Sequence, residues 1–318
     1  MPSYELDDEA LRQLIDRLGE MHVSQRLGIE LEKDNQAYGP GIGFFHIENW
    51  YSIHGLIRGC LRVAGLLGRG RHNTRRHAVR NNRFVLPHLP PAFEGFRLLH
   101  LSDLHVDMDA EVLDKVIELV SPLEYDLCVL TGDYRKNTFG DVADAIDGMQ
   151  RLRAGLHGQV LGVLGNHDSL RMVPPLESMG YRILLNEHVR IGRDGGDIYV
   201  VGVDDAHYFR LDSMPKAAEG ISSGAVRILL CHTPEVFRQA AHAGFDVFLC
   251  GHTHGGQICL PGGIPLTLDA DCPRFVGRGP WNHLGMQGYT SVGAGTSIVN
   301  VRLNCPPEIT LHTLSAGQ

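Results

Sequence analysis

The stretch from residue 96 to residue 314 predicts an α/β fold, on two patterns and one bulk condition. Short apolar runs of strand length alternate there with amphipathic stretches of helical length. Each run also ends in a polar cluster, and in such sheets functional groups gather just past the carboxyl ends of the strands. The bulk condition is core size. The chain has 318 residues, 43% hydrophobic and 21% charged, an ordinary balance for a soluble globular protein with a sizeable core.

Taken in order, the elements begin with a helix over residues 5–20. Asp7 or Asp8 stands near its start, and Leu11, Leu14, Ile15 and Leu18 recur at helical spacing. Residues 49–69 predict a second, amphipathic helix. Ile53, Leu56, Ile57, Cys60, Leu61, Ala64 and Leu67 share one face, while Arg58, Arg62 and Arg69 fall opposite. Arg71, Arg75, Arg76, Arg80 and Arg83 continue the positive charge, with no Asp or Glu between Glu48 and Glu94. Pro87, Pro90 and Pro91 then mark a linker. The expected organisation is a helical, Arg-rich region with linker at 1–93 and a main domain at 94–318. Within the main domain, strands are expected at 96–101, 125–130, 159–164, 198–203, 226–230 and 245–249. Helices are expected at 110–120, 141–152, 170–179 and 234–243. After about residue 255 come Gly/Pro-rich loops, then closing strands at 289–294 and 308–314.

Several classes are disfavoured. The net charge of −8 argues against a nucleic-acid binder, and the Arg-rich segment lacks interleaved aromatics for stacking. Seven cysteines at irregular spacing fit reduced thiols in a cytosolic protein, with Cys231 and Cys250 packed in apolar strands. The acidic start shows no secretory signal, and the best apolar window, 53–67, is broken by Arg58 and Arg62. A cytoplasmic protein is expected, with a peripheral station on the inner membrane face as the variant reading. The arginines at 49–83 would then reach lipid phosphates; otherwise the apolar face docks on the main domain.

Five polar clusters follow predicted strands: Asp103-Leu104-His105, Gly132-Asp133, Gly165-Asn166-His167-Asp168, Cys231-His232 and Gly251-His252-Thr253-His254. Oxygen and imidazole ligands of this kind suit Mn, Fe, Zn or Co. Two metals close together need a carboxylate able to bridge, with further ligands on each side, and would serve to activate a water and clamp an in-line displacement.

In the order DxH, GD, GNH(D/E), H and GHxH, these clusters resemble the calcineurin-like metallophosphoesterase superfamily. The resemblance implies a four-layer α/β/β/α sandwich with an N-terminal helical appendage, and a dinuclear hydrolase of phosphodiester or pyrophosphate bonds acting through a metal-bridging hydroxide. It implies Asp103, His105 and His254 on the first metal, Asn166, His232 and His252 on the second, and Asp133 between them. His167 would protonate the leaving oxygen, with Asp168 orienting or tuning it. The segments Gly255-Gly256-Gln257-Ile258, Gly293-Ala294-Gly295-Thr296-Ser297 and Cys305-Pro306-Pro307-Glu308-Ile309 are similar to the bacterial membrane-associated branch. That branch is compared with UDP-2,3-diacylglucosamine hydrolases of lipid A synthesis. A phosphate-containing small molecule or a lipid-linked compound is therefore the expected substrate, with a soluble nucleotide phosphodiesterase or phosphatase as the alternative and a non-catalytic metal-binding module as the third reading. Arg135 and Lys136, where the branch often carries an acidic residue, are expected to hold an anionic substrate. Asp204-Asp205 is expected to cap the turn that contains His207, and His72, His77, His88, His157 and His283 are expected to be solvated.

Overall fold

The computed structural model describes residues 6–38 and 51–317, with the side chains of 33–38 and 51–54 left aside. The acidic start through Glu5, residues 49–50 and Glu48 lie outside the described residues, as does the Ile53 side chain. Helices α1 (Asp8–Leu18), α2 (Glu20–Tyr38), α3 (Tyr51–Val63) and α4 (Leu67–Asn73) come first, then strands β1 (Ala78–Val85) and β2 (Arg97–Leu101). Next are α5 (Ala110–Val120), β3 (Leu127–Leu130), α6 (Ala143–Gly155), β4 (Val160–Gly162), α7 (Val173–Ser178) and β5 (Tyr181–Ile183). Strands β6 (Glu187–Arg193) and β7 (Gly196–Gly202), helix α8 (Met214–Ala217), β8 (Val226–Leu230), α9 (Phe237–His242) and β9 (Val247–Cys250) follow. The chain continues with a short hairpin, β10 (Cys259–Leu260) and β11 (Ile264–Pro265), and with β12 (Gly279–His283), β13 (Met286–Thr290) and β14 (Glu308–Ser315).

Two six-stranded sheets result, ordered β1-β14-β2-β3-β4-β5 and β12-β13-β9-β8-β7-β6. Successive residues of a strand face opposite sides, and the central strands of both sheets bury apolar side chains on both. Leu98, Leu127, Val129 and Leu161 of the first sheet meet Ile198, Val200, Ile228, Val247 and Leu249 of the second in one core. Leu99, Leu101, Cys128 and Leu130 point the other way, onto α5 and α6. On the far side of the second sheet, Val201, Leu229, Phe248 and Cys250 pack against Phe237, Ala240 and Met214. Two sheets face to face with helices on both outer faces are the four-layer α/β/β/α sandwich.

The N-terminal third is tied into this body. Asp7 caps α1 by accepting from the Ala10 amide, and Leu14, Leu18 and Val23 enter the same core as α5 and α6. Residues 78–85, expected within the helical and linker region, form an edge strand that pairs in parallel with β14, from Ala78↔Glu308 to Val85↔Ser315. The closing strand expected at 289–294 lies instead at Met286–Thr290, because its apolar register is set by parallel pairing with β9, Gln287↔Val247 to Thr290↔Cys250. Helices α3 and α4 dock through Ile57, Leu61, Leu66 and Leu67 on Val299, Val301 and Leu303. Leu56 and Val63 stay 65% and 92% exposed.

Two histidines lie buried side by side in the first sheet, His100 Nδ1 3.2 Å from His312 Nε2. Burial pushes His100 down to about 3 and His312 well below the ordinary imidazole value, so both are neutral. An unfolded chain takes up these protons below about pH 6.5 and the folded one refuses them. Their stabilisation is therefore complete above that pH and lost as pH falls toward about 3. The pair is expected to cost the fold about 4 kcal/mol between pH 7 and pH 5. Urea midpoints at the two pH values check this, and a His100→Gln/His312→Gln variant should lose that part of the pH slope.

Candidate metal centre

The polar clusters all follow strand ends that meet at one edge of the sandwich: those after β2, β3 and β4 from one sheet, and after β8 and β9 from the other. Tight backbone makes the convergence possible. A side chain at Gly165 would collide with the Asp133 carboxylate, and one at Gly251 with Ser102 Oγ and the Asp103 carboxylate. Asp103, His105, Asp133, His252 and His254 all hold positive φ, between 39° and 69°, a left-handed conformation costly for such residues and concentrated at functional sites.

Two donor sets form: Asp103, His105 and His254 in one, and Asp133, His232 and His252 in the other. In the first, His105 Nε2 lies 3.3 Å from His254 Nε2, which is 3.4 Å from Asp103 Oδ1. In the second, His232 Nε2 lies 3.1 Å from His252 Nδ1, 3.2 Å from Asp133 Oδ2 and 2.9 Å from Asn166 Oδ1. Ligands about 2.1 Å from one metal are about 3.0–3.4 Å from each other in octahedral or tetrahedral geometry. Asp133 Oδ2 is also 3.9 Å from His105 Nε2, so this carboxylate stands between the sets.

The tautomers show why a cation suits these sets. His105 Nδ1 donates to the Arg135 carbonyl and His232 Nδ1 to the Thr131 carbonyl, each at 2.7 Å. With Nδ1 as the donor, a ring that carries one proton aims an Nε2 lone pair into its set. His232 Nε2 faces a carboxylate and an amide oxygen, acceptors that repel a lone pair unless a positive charge lies between. The protein alone supplies a proton. Burial opposes the charge, but Asp133 and Asp103 lift His232 to about 10. Burial likewise works against an ionised Asp133, yet His232 and His167 hold its carboxyl well below the usual range. A divalent ion bound by these donors would answer the same electrostatic demand, so the residues fit the metals.

His167 borders the opening beside Asp133, His252 and His254, with Nε2 3.9 Å from Asp133 Oδ2. Asp168 does more than the orienting or tuning role expected of it. Its carboxylate accepts from the Asp133, Tyr134 and Gly165 amides, each at 2.8 Å, and so fastens the two ligand loops together. Burial and the charge of Asp133 push its pKa up to about 6.

Arg135 also departs from expectation. It is buried, and its guanidinium donates to the carbonyls of His167, Gly140 and Thr138, making it a clamp on the loop. Lys136 Nζ reaches the Asp107 carbonyl at 3.2 Å and its carboxylate at 3.9 Å, and neither cation lines the cleft at the centre. Asp205 caps the turn by accepting from Tyr208 and Phe209 amides, both at 2.7 Å. Asp204 instead takes Arg26 and His22 of α2, at 2.7 and 2.8 Å. His77, expected to be solvated, is half-buried against the Ala294 carbonyl at 2.8 Å.

Sequence reasoning missed Arg26, whose Nη2 donates at 2.8 Å to the carbonyl of Asp168, next to His167. It also missed Arg302, which donates to the His254 carbonyl at 3.2 Å and to the carbonyls of Val292 and Gly295 at 2.7 and 2.6 Å. Neither carries a local signal: one is a charge on a helix, the other a charge in a loop.

A calcineurin-like phosphoesterase superfamily domain is matched over residues 96–263. Among curated proteins, the chain is 30% identical to YkoQ of Bacillus subtilis, an uncharacterized metallophosphoesterase, over 70% of this chain and 85% of that one. It is 28% identical to the phosphodiesterase YaeI of Escherichia coli, over 69% and 82%. It is 31% identical to a bovine transmembrane protein with metallophosphoesterase domain, over 82% of this chain and 62% of that one. The chain therefore spans less than two thirds of the bovine protein's length. Fold, donor sets and these relatives agree: the chain belongs to the calcineurin-like phosphoesterase superfamily and is a metal-dependent phosphoester hydrolase.

Proposed function

We propose that the chain hydrolyses a phosphodiester or pyrophosphate bond in a lipid-linked substrate, using two divalent ions (Mn, Fe, Zn or Co), at the surface of an anionic membrane. The observation that carries this reading is the cleft beside the donor sets. It encloses about 490 Å³ and is lined by Leu56, Ile57, Leu61, Ile258, Leu266 and Val299 together with Asp133, His167, His252 and His254. Such a wall accommodates an acyl chain next to a phosphate. Among the described residues lining it there is no Phe, Tyr or Trp on which a nucleobase could stack, which weighs against the nucleotide alternative.

Two bound ions would supply an activated water and neutralise phosphate oxygens. Asp103, His105 and His254 would hold one; Asn166, His232 and His252 the other; Asp133 both. His167 would donate its proton to the departing oxygen as the P–O bond breaks.

At the mouth, Leu56 and Leu266 are 65% and 56% exposed, and Arg58, Arg62, Arg69 and Arg71 lie exposed on α3 and α4. An apolar rim beside arginines suits an anionic lipid interface. Among the described residues, no helix is long and apolar enough to cross a membrane, so contact through residues 49–83 would be peripheral.

The test compares bis-p-nitrophenyl phosphate with p-nitrophenyl phosphate, in Mn²⁺ and after chelation, and adds co-sedimentation with anionic and neutral vesicles. Diester turnover abolished by chelation, with binding to anionic vesicles only, is the expected result. An Arg62→Asp/Val63→Asp variant, changed only at exposed residues outside the cleft, should leave the vesicles while keeping soluble-diester turnover. Preference for the monoester would overturn the diester assignment, and absence from anionic vesicles would overturn the membrane one.

A further inference from the structure

A line of polar side chains crosses the first sheet from its edge to the metal centre. Asn82 on β1 faces its register partner His312 on β14, Nδ2 to Nδ1 at 3.1 Å. His312 Nε2 meets His100 Nδ1 at 3.2 Å, and His100 Nε2 meets Thr131 Oγ1 at 2.9 Å. Thr131 Oγ1 reaches Ser102 Oγ, and Ser102 Oγ reaches Asp103 Oδ2, both at 2.6 Å. His312, His100, Thr131, Ser102 and Asp103 are fully buried, so water satisfies none of these groups.

The direction of every bond follows from the last one. The Ser102 hydroxyl donates to Asp103 Oδ2. Its oxygen then takes the hydrogen of Thr131, and Thr131, its hydrogen used, accepts from His100 Nε2–H. His100 is neutral, held so by burial. Its Nδ1 therefore accepts from His312 Nε2–H, and His312 Nδ1 accepts from the Asn82 amide. Each donor points toward Asp103, and aligned bonds of this kind polarise one another.

We propose that His312, His100, Thr131 and Ser102 are positioning residues for the first metal site, holding Asp103 Oδ2 so that Oδ1 faces His254. The inference rests on the reading that Asp103, His105 and His254 bind a metal ion. The backbone amide of His252 lies 3.0 and 3.1 Å from the two Asp103 oxygens and does not choose between them, whereas the Ser102 hydroxyl bonds Oδ2 alone. Groups that orient a metal ligand in this way are worth about 10–100-fold in metal affinity.

The experiment titrates the chelator-stripped full chain with Co²⁺, following visible absorption and heat. The first site is identified as the one that His254→Ala loses. Thr131→Val keeps the shape and removes the relay; affinity at the first site should fall by about 10–100-fold, and Thr131→Ser should restore it. A folded Thr131→Val protein with wild-type affinity would overturn the proposal. Should that variant fail to fold, Asn82→Asp decides. It is isosteric, half-exposed and remote from the ligands, yet it puts an acceptor opposite His312 Nδ1 and turns the chain around. It should weaken the first site by a smaller factor, and unchanged affinity would overturn the proposal. A wild-type chain that takes up no Co²⁺ would sink the metal-site reading itself, and this inference with it.

Discussion

A His167→Ala enzyme is expected to bind metal as the wild type does and to turn over a diester about 10²–10⁴-fold more slowly. The expectation follows from what the substitution leaves intact. The His167 backbone amide donates to Asp133 Oδ1 at 3.0 Å, and that bond survives truncation of the ring. His167 belongs to neither donor set, so both should keep their ions. What disappears, on the proposed role, is a proton donor at the cleft, an interaction realised as the leaving oxygen gains charge. The loss should therefore fall in kcat and leave KM nearly unchanged. Asp133→Asn offers the contrast, because it removes a charge that both sets share, and there metal affinity should drop together with turnover. Equal turnover by wild type and His167→Ala would leave His167 a packing role against His105, whose ring lies 5.2 Å away.

The second large effect is on stability. Arg26 is fully buried, with Nε 3.0 Å from Glu30 and Nη1 2.7 Å from Asp204. Its guanidinium also lies over the Phe209 ring at 3.3 Å. Burial works against an ionised Asp204, but Arg26 and His22 keep its pKa below the ordinary carboxyl value. Arg26→Met would strand two buried carboxylates, at a cost of about 3–5 kcal/mol. A Tm lower by roughly 5–8 °C is expected for a protein of this size. In an Arg26→Met/Asp204→Asn protein one stranded charge is gone, so part of the loss should return. Thermal melts of the four corners of that cycle measure the coupling. Additive losses would show that Arg26 contributes by packing alone.

The reach of the sequence differs from residue to residue, for physical reasons. A strand covered on both faces must be largely apolar, so β3 and β9 stand out as uninterrupted runs, and β2 and β8 as runs whose only polar members are Arg97, His100 and Arg227. The candidate ligands follow those runs directly, which is why Asp103, Asp133, His232 and His254 could be placed past strand ends at one edge of the sandwich. The edge strand β1 reads Ala-Val-Arg-Asn-Asn-Arg-Phe-Val and has one side in solvent, so its arginines read as a continuation of the Arg-rich region. Strand β12, Gly-Pro-Trp-Asn-His, has no apolar run at all. Charged residues were the least legible. Arg135 looked like a hand for substrate and instead closes its own loop, while Arg26 gave no signal and is buried against Asp204. In each case the partner groups are brought up by the tertiary fold, which local periodicity does not encode.

The place of β14 in the first sheet bears on how the protein is made. This strand lies between β1 and β2, parallel to one and antiparallel to the other. The whole second sheet is synthesised between β2 and β14. Until residue 308 has emerged, the nascent chain holds β1 apart from β2, with the apolar edge of β2 unpaired. Such long-range pairing closes slowly and leaves strand edges open to other chains. His312 arrives only with β14, so the donor line to Asp103 cannot form on the ribosome before then. Assembly of the first metal site should thus be among the last events of folding, and the half-made protein a client for chaperones.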